Sequence, residues 1–149
     1  MVRLIRADEL PGLLRLYGNF HPQGLVADHH EPKRKAIWQA ILANPSLRYY
    51  VAEVDGLLVS SCTLTIIPNL NHDGRPYGLM ENVVTDPAYR KKGLATAVLR
   101  HALDDAWAAQ CYKVMLLTGS KQEETLRFYE GAGFQRGVKT GFIAFPPQK

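Results

Sequence analysis

Cysteine is nearly absent from this chain: two residues, Cys62 and Cys111, in 149. That excludes a disulfide framework and sets the expectation of a reduced, cytoplasmic setting. Long apolar runs are missing as well, so no stretch can span a bilayer, and the first residues, M-V-R-L-I-R-A-D-E-L-P, hold no signal-peptide core. There is no internal repeat and no low-complexity tract. Charge of one sign is scarce: 18 Lys and Arg against 14 Asp and Glu leave a net +4, dispersed along the chain. Without a zinc-finger or RNA-binding signature, and without aromatics interleaved among the basic residues, that excess argues against nucleic acid and suits a small anionic ligand. The hydrophobic share of 46% is that of an ordinary globular protein, and the length fits one domain with a full core.

What is present gathers in residues 83–107. Val83, Val84 and Thr85 are β-branched, as strands prefer, and Asp86-Pro87 ends the strand. Arg90, Lys91 and Lys92 lead to Gly93, where a helix opens through Leu94, Ala95 and Thr96. Ala95, Val98, Leu99, Ala102, Leu103, Ala106 and Trp107 recur at helical spacing and predict its buried face. Free N–H groups at a helix start carry partial positive charge, and glycine lets a ligand approach the main chain. The construction therefore fits a polyphosphate, and it fits a solvated basic turn equally well.

The remaining elements follow from local signals. Residues 2–6 read as a short strand. Asp8 is placed to cap a helix that carries Pro11 in its first turn, and residues 32–44 form a second helix stopped by Pro45. Residues 47–54 and 57–67 are strands joined by Asp55-Gly56, a type I′ hairpin signal, and residues 77–85 form a third. Residues 113–118 look like a buried parallel strand. Ser120 and Glu123 make an S-x-x-E capping box for a helix ended by Gly131 and Gly133. Residues 134–139 and 141–145 supply two last strands. The expectation is one α/β (α+β) domain over residues 1–149, a mixed sheet in the order β-α-α-β-β-β-α-β-α-β-β. His21, His29 and His30 lie in a loop without cysteines or a known ligand spacing, so a substrate-facing loop is favoured over a metal site.

R-K-K-G-L-A resembles the acyl-CoA signature of the GNAT superfamily of N-acetyltransferases, Arg/Gln-x-x-Gly-x-Gly/Ala, matched at Arg90, Gly93 and Ala95. L-R-F-Y-E-G-A-G-F at residues 126–134 resembles that family's second signature, and the order of elements is also the family's. A nearer similarity is to glucosamine-phosphate N-acetyltransferases, through M-E-N-V-V-T-D-P, Q-C-Y-K-V-M-L-L and F-Y-E-x-x-G-F. The chain departs from that branch at Asn82, where an aspartate is usual, and at Thr118-Gly119-Ser120, where an acidic run is usual.

The resemblance implies acetyl-CoA as co-substrate without a metal, and direct attack by a primary amine, in a small molecule first and a protein N-terminus or lysine second. It implies main-chain contacts around Val83, Val84 and Thr85 for the acyl and pantetheine groups. Residues Arg90 to Thr96 would serve the pyrophosphate, with Phe128 also on the cofactor side. Tyr129 would be the acid that protonates the leaving thiolate; residue pattern alone makes it a core tyrosine. Glu81 stands in an otherwise apolar strand, either as the base, with its pKa raised by desolvation, or as a salt-bridged strand residue. A homodimer through the C-terminal strands is expected, and a catalytically silent acetyl-CoA sensor is the rival of another class.

Overall fold

The computed structural model describes residues 1–21 and 31–148. Among the described residues, five strands form one sheet in the order β1-β2-β3-β4-β5: β1 (Val2–Leu4), β2 (Leu47–Val54), β3 (Leu57–Ile67), β4 (Tyr77–Thr85) and β5 (Val114–Leu116). The first four are antiparallel neighbours and β5 lies parallel to β4. The sheet is thus mixed, and the α/β expectation holds. The Asp55-Gly56 turn has positive φ at both residues, 49° and 78°, as the β2–β3 hairpin requires.

Alternation along β2 divides the core in two. Tyr50 faces α3 (Leu94–Ala108): its hydroxyl donates to Asp105 Oδ2 at 2.5 Å, and its ring meets His101 edge-on. Cys62, Leu64, Met80, Val98, Leu99 and Ala102 share that layer, each at most 1% exposed. Burying each of the large side chains contributes roughly 1.5–3 kcal/mol. Tyr49 faces the other side and meets Trp38 of α2 (Glu31–Ala43) edge-on; Trp38 Nε1 donates to the Ala7 carbonyl at 2.8 Å. Leu13 and Leu16 of α1 (Leu10–Tyr17) are buried against β3 on the same side. The fourth helix, α4 (Glu123–Gly131), packs on α3.

Several local expectations are corrected. No strand forms in residues 134–148; Phe142, Ile143 and Phe145 are 90%, 67% and 83% exposed. A strand needs a neighbour, and β5, three residues long, provides little edge to pair with. Being an edge strand, β5 is also half-buried rather than buried. The Ser120 box does not form: Ser120 Oγ accepts from Gln122 N at 3.3 Å, Thr118 Oγ1 accepts from Ser120 N at 3.2 Å, and α4 starts only at Glu123. Those hydroxyl turns compete with the helix start. Asp8 caps nothing; Glu9 accepts from Arg6 N at 2.8 Å around a 3-10 turn, Ala7–Glu9. Trp107 is 45% exposed, because the buried stripe of α3 continues through Ala106 towards Cys111 and leaves it on the margin. His29 and His30 lie outside the described residues. His21 is exposed, and among the described residues no group of three His, Cys, Asp or Glu could hold a metal.

Candidate active site

The site is built where two parallel strands part. β4 and β5 pair from Gly78 with Val114 to Met80 with Leu116, and the register stops there. Just beyond, β4 carries a bulge: Ser61 pairs with Val84 and Thr63 with Glu81, so Asn82 and Val83 together oppose Cys62. Asn82 takes φ 53° at the bulge, a left-handed conformation that asparagine tolerates better than a β-branched residue would. The bulge turns the strand away from β5 and disrupts the ladder around Val83. The resulting fork holds a cleft of about 230 Å³. Glu81, Asn82 and Val83 line one wall; Leu117, Thr118 and Gly119 line the other; Phe20 and Tyr129 also border it.

The end of β4 is held in place beside the cleft. Ser60 Oγ donates to the Val84 carbonyl at 3.1 Å and lies 2.8 Å from Thr85 Oγ1. Val84 points its side chain into the core, 6% exposed, so only its main chain can serve a ligand. The chain then passes through a 3-10 turn, Pro87–Tyr89, into residues 90–93. Lys91 and Gly93 both take positive φ, 59° and 76°, on either side of Lys92. Alternation of hand at successive residues turns N–H groups towards one concavity, an anion nest. Gly93 is the N-cap of α3 and uses no side-chain cap, so the first N–H groups of the helix, at Leu94, Ala95 and Thr96, point the same way. Arg90, Lys91 and Lys92 are exposed there, Lys92 over the Tyr89 ring and Lys91 3.6 Å from Glu124 in a pair 85% and 80% exposed. Such a pair is worth little and yields easily to a ligand. A nest, a helix start and three cations fit a pyrophosphate.

Tyr129 comes to the cleft from α4. It is half-buried, packed between Phe128 and Phe134 with ring centroids 4.9 and 6.4 Å away. Burial, then the neighbouring Cys62 and Glu81, push its phenol above the ordinary value, so it stays protonated at neutral pH. Phe128 packs on the core and on Tyr129 and does not line the cleft. Glu81 lines the cleft and is exposed: it still pairs with Thr63 of β3, and alternation along β4 turns it to the face opposite buried Met80. Cys62, behind the bulge, is a core residue whose thiol burial pushes up to about 12. Phe20, Leu117 and the left-handed Asn82 escape the sequence reading. An asparagine standing just before the β-branched run Val83 to Thr85 was the available signal for the bulge; nothing marked Phe20.

Residues 10–134 match the sequence pattern of the Acetyltransferase (GNAT) family. A glucosamine 6-phosphate N-acetyltransferase from Trypanosoma brucei brucei is 39% identical over 80 residues, 54% of this chain and 52% of that protein. The chain thus spans about half the length of that curated relative. A solved structure from Agrobacterium tumefaciens str. C58, described as a candidate acetyltransferase, is 41% identical over 98% of this chain and 99% of its own, with a TM-score of 0.89. Aminoglycoside N-acetyltransferase AAC(6')-Iy, solved in complex with CoA, shares the fold at 17% identity, with a TM-score of 0.71 over 100% of this chain and 99% of its own. By fold, by the layout of the fork and by these matches, the chain belongs to the GNAT acetyltransferase family.

Proposed function

We propose that the chain, working as one domain, transfers an acetyl group from acetyl-CoA to a primary amine of a small molecule. The observation that carries the reading is the bulged fork of β4 and β5 opening beside the nest at Lys91–Gly93, with Tyr129 on its wall. Acetyl-CoA, when bound, supplies an activated thioester. The nest and the start of α3 hold the pyrophosphate, while Arg90, Lys91 and Lys92 balance its charge. The freed edge of β4 from Val83 to Thr85 orients the pantetheine arm as an added strand would lie, and the main chain near Val83 polarises the acyl carbonyl. Glu81, facing the cleft and reachable by water, takes the proton from the incoming ammonium. As the amine nitrogen bonds to the acyl carbon and the carbon–sulfur bond breaks, Tyr129, protonated at neutral pH, gives its proton to the departing thiolate and regains one from solvent at the open cleft.

The acceptor is proposed as a small amine because the named relatives act on such molecules: a hexosamine phosphate in one and an aminoglycoside in the other. A homodimer is proposed from the exposed apolar arm around Phe142, Ile143 and Phe145, and a cytoplasmic setting from the two buried, unpaired cysteines. The test is thiol release from acetyl-CoA across amino sugars with and without phosphate, aminoglycosides, polyamines, amino acids and short peptides. One class should turn over, and Tyr129→Phe should lower that kcat about 100-fold or more while acetyl-CoA still binds. Binding without turnover for every amine would replace the enzyme with a sensor.

A further inference from the structure

The nest works only if residues 86–93 leave β4 at a fixed angle, and one side chain from outside the loop bears on that angle. Asp86 is the joint. Its N–H donates to the Val59 carbonyl at 2.8 Å, and its Oδ1 accepts from Ala88 N at 3.0 Å, closing the turn that starts the loop. Its other oxygen, Oδ2, accepts from Arg15 Nη1 at 2.9 Å, and Arg15 Nη2 donates to the Leu58 carbonyl at 2.5 Å. Arg15 therefore ties the loop's first residue to the strand beside it. The fork of a guanidinium is rigid, and its carrier α1 is itself fixed through Leu13 and Leu16, 2% and 0% exposed. The Arg15 and Asp86 side chains are 39% and 16% exposed, so the tie is partly sheltered from solvent. The Asp86 carboxyl is held below the usual carboxylate range, first by Arg15 and then by the Ala88 N–H. Downstream the turn is passed on in order: Tyr89 N donates to the Asp86 carbonyl at 2.9 Å, Arg90 Nε to the Thr85 carbonyl at 3.3 Å, and Lys91 and Gly93 then adopt their left-handed conformations.

We infer that Arg15, which lies outside both signatures, is a positioning residue for the cofactor loop: through Asp86 it sets the geometry in which residues 90–96 receive the CoA pyrophosphate. The inference rests on the acetyl-CoA reading above. The test is calorimetric titration of acetyl-CoA into the whole protein and into Arg15→Met, Arg15→Lys, Asp86→Asn and the Arg15→Met/Asp86→Asn pair, with melting temperatures alongside. Arg15→Met keeps the length and apolar stem of the side chain and should weaken acetyl-CoA binding about three- to tenfold, with Arg15→Lys between it and the wild type. In the Asp86→Asn background the same change should cost less than about twofold, since the two act as one tie. In thiol release, Arg15→Met should raise the KM for acetyl-CoA by the same factor and leave kcat at saturation near the wild-type value, a split that general loss of stability would not give. Equal affinity of Arg15→Met and wild type overturns the inference, as does a full-sized effect in the Asp86→Asn background. Failure of the wild type itself to bind acetyl-CoA would refute the underlying reading, and this inference with it.

Discussion

Gly78 sits at the root of the fork, where β4 begins its pairing with β5, and replacing it with alanine tests the packing that sets the cleft. Its φ lies outside the left-handed range, so alanine is conformationally allowed there and, through the unfolded chain alone, would stabilise by about 0.4–1 kcal/mol. Space decides otherwise. A Cβ at Gly78 would stand 2.9 Å from Leu64 Cδ1 and 3.0 Å from Val114 Cγ2, against the roughly 3.5–4.0 Å of a favourable carbon contact. Leu64 is 0% exposed and enclosed by the core, so the strain falls on β5, a three-residue edge strand. Overpacking of this kind costs about 1–3 kcal/mol. An unfolding entropy near 2.1 cal/mol/K per residue over 149 residues converts that to a fall in Tm of about 3–10 °C. The control is Gly131→Ala in the last turn of α4, where a Cβ meets nothing within 4 Å. That change should raise Tm by about 2 °C, because glycine is a poor helix residue. Melting curves by circular dichroism check both. A Gly78→Ala variant that melts at or above the wild type would show that the fork's root is loosely packed and that the steric account of it is wrong.

Acid should destabilise the first strand before the rest. Glu9, 12% exposed and bound to Arg3 and Arg6, has its carboxyl held at about 2 instead of 4.5, chiefly by its hydrogen bonds to Arg3. Because the folded value is the depressed one, the contribution is complete above pH 4.5 and is lost as pH falls towards 2; it is of the order of 2 kcal/mol. Urea midpoints measured across that window should fall with pH in the wild type and fall less in Glu9→Gln. Gly93→Ala meets no steric obstacle, since no atom lies within 4 Å of its Cβ, yet it must hold φ 76°. Forcing that hand costs roughly 1 kcal/mol, so acetyl-CoA titration should show about fivefold weaker binding with the secondary structure intact.

The strands of the antiparallel half were legible because their signals are local. Residues 47–54, 57–67 and 77–85 alternate or run apolar between turn residues, and the structure ends each strand at those bounds. Glycine and charge marked the loop from Arg90 to Gly93 as either a phosphate cradle or a solvated turn, and only the resemblance to the GNAT signature favoured the first. The bulge was not, because a strand's propensity gives no hint of one extra residue against Cys62; only the choice of Asn82 hinted at it. The Arg15–Asp86 tie joins residues 71 positions apart and leaves no local pattern. The arm after Phe134 misled because apolar, β-prone composition promises a strand only where a neighbouring edge exists, and Phe142 stays 90% exposed without one.

The most direct measurement is an amide-resolved NMR titration of the isotopically labelled protein with acetyl-CoA. The largest shifts should fall on the N–H groups of Val83 to Thr85, Arg90 to Thr96 and Tyr129, with α2 and β1 unmoved. Shifts centred elsewhere, or none at saturating acetyl-CoA, would contradict the fork as the site of acyl transfer.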